Sequence, residues 1–141
     1  MSDKIDFGTD EWIKQLMVEL NKSEAYAEAA KNWEGDICFV VDPKGSKLDH
    51  EVYMYVDLWH GKCRSARVLK SKDELKPEFT IKGTVKAFRE VIDNGLDPMK
   101  ALLTRKLKLT GNMAKIMKNV KSANQLVLCC TYIPTNFPLE E

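Results

Sequence analysis

The chain has 141 residues, of which 44% are hydrophobic and 30% are charged, and its formal net charge is +1. This length suits one domain with a substantial core, so a single domain over residues 1–141 is predicted. The composition excludes an intrinsically disordered chain, and no apolar run approaches the roughly 18 residues of a membrane-spanning helix.

Two helices are predicted at the beginning of the chain. The run DEWIKQLMVELNK carries its apolar residues at helical spacing, and Thr9 precedes it as an N-cap. Ser23 is the predicted N-cap of a second, alanine-rich helix, EAYAEAAKNW.

Three strands follow, in the runs DICFVVD, HEVYMYVDLW and CRSARVL. The connections between them are short and turn-like, which predicts antiparallel pairing, because a parallel return needs a long crossover. Alternation in the third run places Cys63, Ser65, Arg67 and Leu69 together on one face.

Shorter elements alternate through the rest of the chain. EFTIKG reads as a strand, VKAFREVIDNG as a helix capped by Thr84, and DPMKALLT as one or two helical turns. A strand is predicted before Gly111, and a helix from Met113 to Val120 after it; the type of the last run, NQLVLCCTYI, stays open. The pattern indicates an α+β fold with helices on one face of an antiparallel sheet.

The four cysteines form no C-x-x-C pair, and each lies in an apolar or strand-like run. Buried free thiols are therefore expected, which suits a reducing compartment. The polar N-terminal run MSDKIDFGTDEW is unlike a secretory signal, so the cytoplasm is the expected location.

The sequence offers little catalytic chemistry. It contains no nucleophile elbow, phosphate loop or dinucleotide fingerprint. His50 and His60 stand beside turns without a metal-binding pattern, so we expect no metal and no cofactor.

Charge is distributed unevenly along the chain. The segment 98–139 contains seven Lys and Arg residues and no Asp or Glu, so it carries +7 and the remainder carries −6. Lys106, Lys108, Lys115 and Lys118 are candidates for contact with an anionic head group or membrane surface. The alternative is that acidic and basic parts neutralise each other within the fold. No aromatic residues alternate with these lysines, so nucleic-acid binding is not expected.

Several motifs from Trp33 to Val120 agree with those of a known family. WEGDICFVVD, VYMYVDLWHGKC and EFTIKGTVKAFREVIDNGLDPMKALLTRKLKLTGNMAKIMK resemble successive parts of the type-two sterol-binding domain of the sterol carrier protein family. The positions that match most specifically are Gly95, Pro98, Ala101, Lys106, Leu107, Lys108, Gly111 and Met113. Arg105 departs from the pattern, because the family usually has Gly there.

The resemblance implies a five-stranded, mostly antiparallel sheet with helices on one face, enclosing a hydrophobic tunnel for a fatty acid, acyl-CoA or sterol-like lipid. It implies an intracellular carrier and not an enzyme. On this hypothesis the ligand would lie against apolar residues of the last third of the chain. These candidates are Phe88, Val91, Ile92, Met99, Leu102, Leu103, Leu107, Leu109, Met113, Ile116, Met117 and Val120.

Two alternatives stay open at this point. The same stripe could be ordinary core, in which case the domain would act as a structural or protein-interaction module, including a homodimer. An enzyme would need an acid or base directed into the pocket, and the candidates for that role are Asp57, Tyr53, Tyr55 and His60. Met117→Asp is expected to abolish lipid binding if Met117 lines a cavity.

Overall fold

The computed structural model describes residues 4–140; residues 1–3 and 141, which belong to the predicted domain, lie outside the described residues. The elements in chain order are β1 (Ile5–Asp6), α1 (Asp10–Lys22), α2 (Glu24–Ala29), β2 (Glu34–Asp42), β3 (Val52–Trp59), β4 (Lys62–Leu69), β5 (Phe79–Thr84), α3 (Val85–Ile92), α4 (Pro98–Leu103), β6 (Lys108–Thr110), α5 (Met113–Met117), α6 (Val120–Thr131) and β7 (Thr135–Asn136).

The main sheet has five strands in the order β4-β3-β2-β5-β6. Only the β2–β5 pair is parallel; the pairs β2–β3, β3–β4 and β5–β6 are antiparallel. The predicted α+β class and the mostly antiparallel five-stranded sheet are therefore confirmed. A small parallel pair between β1 and β7, which the sequence did not predict, joins the two ends of the described chain.

Helices cover one face of this sheet, which we call the inner face. The α1 helix packs across β3 and β4, and α3 packs against β5. The α6 helix lies against α1, α2, α3, α4 and α5. Three predicted N-caps are confirmed, since the side chains of Thr9, Ser23 and Thr84 accept hydrogen bonds from the first turns of α1, α2 and α3.

The predicted alternation of β4 is wrong at its first residues. Arg64 is an extra residue in the pairing with β3, because Leu58 pairs with Cys63 while Asp57 pairs with Ser65. Such a bulge shifts the alternation by one position. Cys63 consequently lies on the inner face with Ala66, whereas Ser65 lies on the opposite face.

The strand before Gly111 is shorter than predicted. Arg105 has a left-handed backbone with φ of 62°, and the Leu107 amide donates to the Ala101 carbonyl, so residues up to Leu107 form a turn. Left-handed φ costs a residue other than Gly about 1–2 kcal/mol. Gly, which the resemblance implies at this position, would adopt this conformation without that cost.

The helix predicted from Met113 to Val120 is divided in two. Its first part, α5, ends at Met117, and Asn119 leaves helical geometry with φ of −124° and ψ of 37°. The undecided run NQLVLCCTYI falls largely within α6. Gly111 permits the close turn before α5, because a Cβ there would stand 2.6 Å from Cδ1 of Phe79.

Candidate functional site

An apolar cavity of about 110 Å³ lies between the inner face of the sheet and the helices. Every residue that lines it is of a nonpolar type. Trp12 is the lining residue with a strong hydrogen-bond donor, and its Nε1 donates to Oγ1 of Thr135 at 2.9 Å. The lining residues are Phe7, Trp12, Leu16, Ile37, Phe39, Met54, Ile81, Phe88, Val91, Ile92, Pro98, Met99, Leu102, Leu107, Ile116, Ala123, Leu126, Val127 and Cys130.

Two sequence periods build this wall. In β2, β3 and β5 every second residue reaches the inner face, which brings Ile37, Met54 and Ile81 to the cavity. In α6 the lining residues are spaced as one stripe of a helix, and they are Ala123, Leu126, Val127 and Cys130. One apolar face of the sheet and apolar stripes of the helices therefore enclose the cavity. The same periodicity also produces an ordinary protein core.

Seven of the twelve predicted ligand-contact residues line the cavity. They are Phe88, Val91, Ile92, Met99, Leu102, Leu107 and Ile116.

The other five lie elsewhere, and they are Leu103, Leu109, Met113, Met117 and Val120. Leu103 and Met117 have 63% and 51% of their surface exposed. The sequence predicts one helical stripe from Met113 to Val120, and the break after α5 removes that geometry.

The lining residues that sequence reasoning missed come mainly from the first half of the chain and from α6. Their signal was present, because α1 and the strands show clear apolar periodicity. That signal indicates only that a residue faces inward; it does not distinguish contact with other side chains from contact with empty space.

A smaller chamber of about 40 Å³ adjoins the cavity. The two spaces share Ile37, Ile116, Ala123 and Leu126 in their walls. The chamber differs in carrying polar side chains, and the full set of its lining residues is Tyr26, Trp33, Ile37, Leu58, Ile116, Asn119, Ser122, Ala123 and Leu126.

Two of the four candidate head-group lysines form ion pairs. Nζ of Lys106 is 2.9 Å from Oε2 of Glu90, and Nζ of Lys115 is 2.7 Å from Oε2 of Glu78. The hydrogen bond from Lys106 lowers the pKa of Glu90. Lys108 and Lys118 are exposed, and the structure shows no ion pair for either one within residues 4–140.

The candidate acids and bases do not line the cavity. Tyr53, Tyr55 and Asp57 alternate with the inward residues of β3, so they lie on the outer face of the sheet. His60 is at the β3–β4 turn, where its Nε2 lies 2.6 Å from Oε2 of Glu34. Cys130 does line the cavity, but burial raises the pKa of its thiol, so it is protonated at neutral pH.

Within the described part of the chain, no group of three His, Cys, Asp or Glu side chains is placed to hold a metal ion. No helix formed by residues 4–140 has the length and apolar character that are needed to cross a membrane.

The chain is an α+β domain with an apolar cavity between its sheet and its helices, and the comparisons with known proteins assign the family. Residues 13–123 match the model of the SCP-2 sterol transfer family. The chain belongs to this family. Among curated proteins, none matches the chain significantly.

Solved structures agree with this assignment. A crystal structure of sterol carrier protein 2 is 32% identical with a TM-score of 0.81, and the match covers 90% of this chain and 98% of that chain. A conserved hypothetical protein from Thermus thermophilus, described as a candidate sterol carrier protein, is 31% identical with a TM-score of 0.82 and coverage of 96% and 94%. The apo form of sterol carrier protein 2 from Yarrowia lipolytica shares the fold at 18% identity, with a TM-score of 0.54 and coverage of 84% and 88%.

Proposed function

We propose that this protein binds a hydrophobic ligand of the fatty acid, acyl-CoA or sterol class in the cavity and carries it without chemical change. The observation that carries the proposal is the wall of the cavity, which consists of nonpolar residue types alone. Such a wall gains free energy only by removing apolar ligand surface from water. The similarity to sterol carrier protein 2, at 32% identity, supports a ligand of the sterol class.

The size of the cavity sets a requirement on ligand entry. Its volume of about 110 Å³ is below the roughly 150 Å³ of an engineered cavity that holds benzene. A long acyl chain must therefore displace part of the wall or extend beyond the cavity. Met54 and Met99 line the cavity, and unbranched thioether chains adapt readily to a new shape. We propose that the widened cavity is the tunnel that the family resemblance implies.

The first experiment is identification of what co-purifies with the protein. Native mass spectrometry followed by denaturing extraction should show a stoichiometric fatty acid, acyl-CoA or polycyclic lipid. An empty protein that also fails to bind a fluorescent fatty acid would contradict the proposal. That outcome would favour the alternative function, a structural or protein-interaction module that could act as a homodimer.

A cavity-filling variant makes this experiment specific to the site. Ala123→Phe adds a ring where α6 meets both the cavity and the chamber. We expect it to reduce binding of a fluorescent fatty acid by at least about tenfold, since the ring occupies ligand space. Ala114→Phe is the matched control, because Ala114 is exposed on α5. Equal binding by both variants would place the ligand elsewhere.

We propose further that the protein exchanges its ligand at an anionic membrane surface. Exposed Lys108 and Lys118 supply positive charge, and exposed Leu103 and Met117 supply apolar side chains in the same basic segment. Binding to vesicles that contain phosphatidylserine should weaken in a Lys108→Glu, Lys118→Glu variant and at high salt. Unchanged sedimentation with the vesicles would remove these residues from the proposal.

The proposed location is the cytoplasm. All four cysteines are free and buried, which suits a reducing compartment. Localisation of a tagged protein in the source cell tests this.

A further inference from the structure

We propose that residues 96–106, which include α4, form a lid through which the ligand enters the cavity. On this proposal the ion pair between Lys106 and Glu90 holds the lid closed, and an anionic surface opens the lid by taking up Lys106. The inference rests on the proposed function, because it describes how a ligand reaches the same cavity.

The lid is a thin part of the cavity wall. It contributes Pro98, Met99 and Leu102 to the lining. Leu102 lines the cavity, whereas the next residue, Leu103, has 63% of its surface exposed, so one short helix lies between the cavity and water at this place. Displacement of this helix would therefore connect the cavity with solvent.

The lid has few attachments to the rest of the fold. The α4 helix packs mainly on α6, whereas α3 packs on both α6 and β5. Within the described chain, the hydrogen bonds of residues 97–106 join residues of 97–107, with the exception of the bond from Nζ of Lys106 to Oε2 of Glu90 at 2.9 Å. A segment that is bonded mainly to itself can open locally while the rest of the fold stays intact.

The neighbouring short helix, α5, is attached more firmly. Nζ of Lys115 donates to the Glu34 carbonyl at 2.5 Å and to the Glu78 carboxylate at 2.7 Å. These bonds connect α5 to the beginnings of β2 and β5. The contrast between the two short helices is the reason for choosing α4 as the part of the wall that moves.

Glu90 holds the two ends of the lid together. Its carbonyl accepts a hydrogen bond from the Leu96 amide at 3.0 Å, and its carboxylate pairs with Lys106. A surface segment whose ends lie close together is a compact loop, a kind of structure that frequently carries function. Because Glu90 belongs to α3, this helix is the fixed base on which the lid closes.

Left-handed backbone occurs at both ends of the lid. Gly95 has φ of 74°, and Arg105 has φ of 62°. Gly accepts this conformation freely, but a residue with a Cβ is strained in it. The closed lid therefore stores strain at Arg105 that opening can release, and the Lys106–Glu90 pair opposes that release. A segment held between two such contributions can be shifted by a small change in charge.

The charge of the lid suits an anionic surface. The basic residues of the lid are Lys100, Arg105 and Lys106, and its one acidic residue is Asp97; all four are exposed. The pair between Lys106 and Glu90 is itself partly exposed, so an anionic lipid can replace Glu90 as the partner of the lysine.

The test measures how fast a fluorescent fatty acid, cis-parinarate, passes from vesicles to the protein. The vesicles consist of phosphatidylcholine with or without phosphatidylserine, and the proteins are the wild type, Glu90→Gln and Glu51→Gln. Glu90→Gln removes the charge that pairs with Lys106 but keeps the backbone bond to Leu96. Glu51→Gln is the matched control, because it breaks an ion pair of similar exposure, with Lys82, on the outer face of the sheet.

We expect Glu90→Gln to take up cis-parinarate from phosphatidylcholine about 1.5- to 5-fold faster than the wild type, the effect of one exposed ion pair on the open fraction. Release should accelerate by the same factor, because the lid is closed in the empty and in the loaded protein, so the dissociation constant stays unchanged. Phosphatidylserine should accelerate uptake by the wild type, and it should do so less in Glu90→Gln. Glu51→Gln should match the wild type.

A second pair of variants tests the strained end of the lid. Arg105→Gly and Arg105→Ala lose the same side-chain charge, but the glycine alone relieves the left-handed strain. The relief exceeds the greater entropic cost of ordering glycine, so Arg105→Gly should take up cis-parinarate about 2- to 5-fold more slowly than Arg105→Ala. Equal rates would overturn the strained hinge.

Equal uptake rates in Glu90→Gln and Glu51→Gln would overturn the inference, and lower stability of Glu90→Gln without faster uptake would show that the pair with Lys106 is structural only. An unchanged acceleration by phosphatidylserine in Glu90→Gln would overturn the anionic surface as the cause of opening. Failure of the wild type to bind cis-parinarate would contradict the proposed function as well, whereas binding at equal rates by all variants would contradict the inference alone.

Discussion

The two faces of the main sheet are built from the same strands but carry different sets of side chains. The inner face contributes apolar side chains to the core and to the cavity. The outer face contributes hydrogen-bonded and charged pairs, such as Tyr55 with Asp36 and Lys82 with Glu51. The two-residue period of a strand separates these environments, so neighbouring residues of one strand face opposite sides of the sheet.

This separation bears directly on catalysis. The three residues of β3 that could act as acid or base, Tyr53, Tyr55 and Asp57, are paired on the outer face with Glu51, Asp36 and Arg64. A ligand in the cavity is on the other side of the sheet from them. This arrangement supports the proposal of a carrier that leaves its ligand chemically unchanged.

The largest expected effect comes from placing a charge on the inner side. Ile116 is 6% exposed and lines the cavity, while the next residue, Met117, is 51% exposed. We expect Ile116→Asp to lower the free energy of unfolding by at least about 3 kcal/mol, because the carboxylate would be buried without a partner. Met117→Asp should cost under about 1 kcal/mol and leave lipid binding intact, opposite to the expectation from sequence.

Denaturant unfolding and a lipid-binding assay on both variants test this pair. Similar losses of stability in Ile116→Asp and Met117→Asp would contradict the prediction, which rests on the different exposure of these two residues.

A smaller effect is expected on the outer face from Asp36→Ala. Asp36 accepts from the Tyr55 hydroxyl at 2.8 Å and from the Glu78 amide at 2.7 Å. Removing both acceptors should cost about 1–3 kcal/mol of unfolding free energy with ligand affinity unchanged. Asp49→Ala is the control, since the Asp49 carboxylate is exposed beside His50. A parallel fall in ligand affinity would mean that the two faces are coupled.

A gain in stability is expected in the helical layer from Gln125→Met. Oε1 of Gln125 is buried and has no hydrogen-bond partner within the described residues. Replacing the amide by a thioether of similar length should raise the free energy of unfolding by about 1 kcal/mol. A loss of stability in thermal unfolding would indicate that a bound water serves this carbonyl.

The smallest effect is the pH dependence of the Glu51–Lys82 pair on the outer face. Hydrogen bonds from Lys82 and Tyr53 lower the pKa of Glu51 from its ordinary 4.5. A lowered folded-state pKa stabilises the protein above the unfolded value, and this contribution disappears as pH falls through the folded value. Glu51→Gln should therefore cost under about 1 kcal/mol at neutral pH and progressively less below pH 4.5.

Unfolding measured across pH at low and high salt tests that prediction. The difference between wild type and Glu51→Gln should also shrink in high salt, because the pair is partly exposed. A difference that grows on acidification would contradict the assigned sign.

Local signals in the sequence were sufficient for most elements. The caps at Thr9, Ser23 and Thr84 and the alternation in β3 act over a few residues, so they can be recognised from neighbouring positions. The same local reasoning failed at Arg64 and Asn119, where one residue departs from the period. A bulge and a helix break depend on the partner strand and on the packing of α6, which are distant in sequence.

The sequence by itself determined the α+β class, the apolar inner residues and the family resemblance, because periodicity, caps and motif order are properties of the chain. The tertiary structure decided that Met54 of β3, Val91 of α3 and Leu126 of α6 surround one cavity. It also decided that Met117 faces outward and that Tyr26 and Ser122 line the same adjoining chamber. The physical reason is that periodicity fixes which way a residue faces, whereas empty space arises only from the way whole elements pack together.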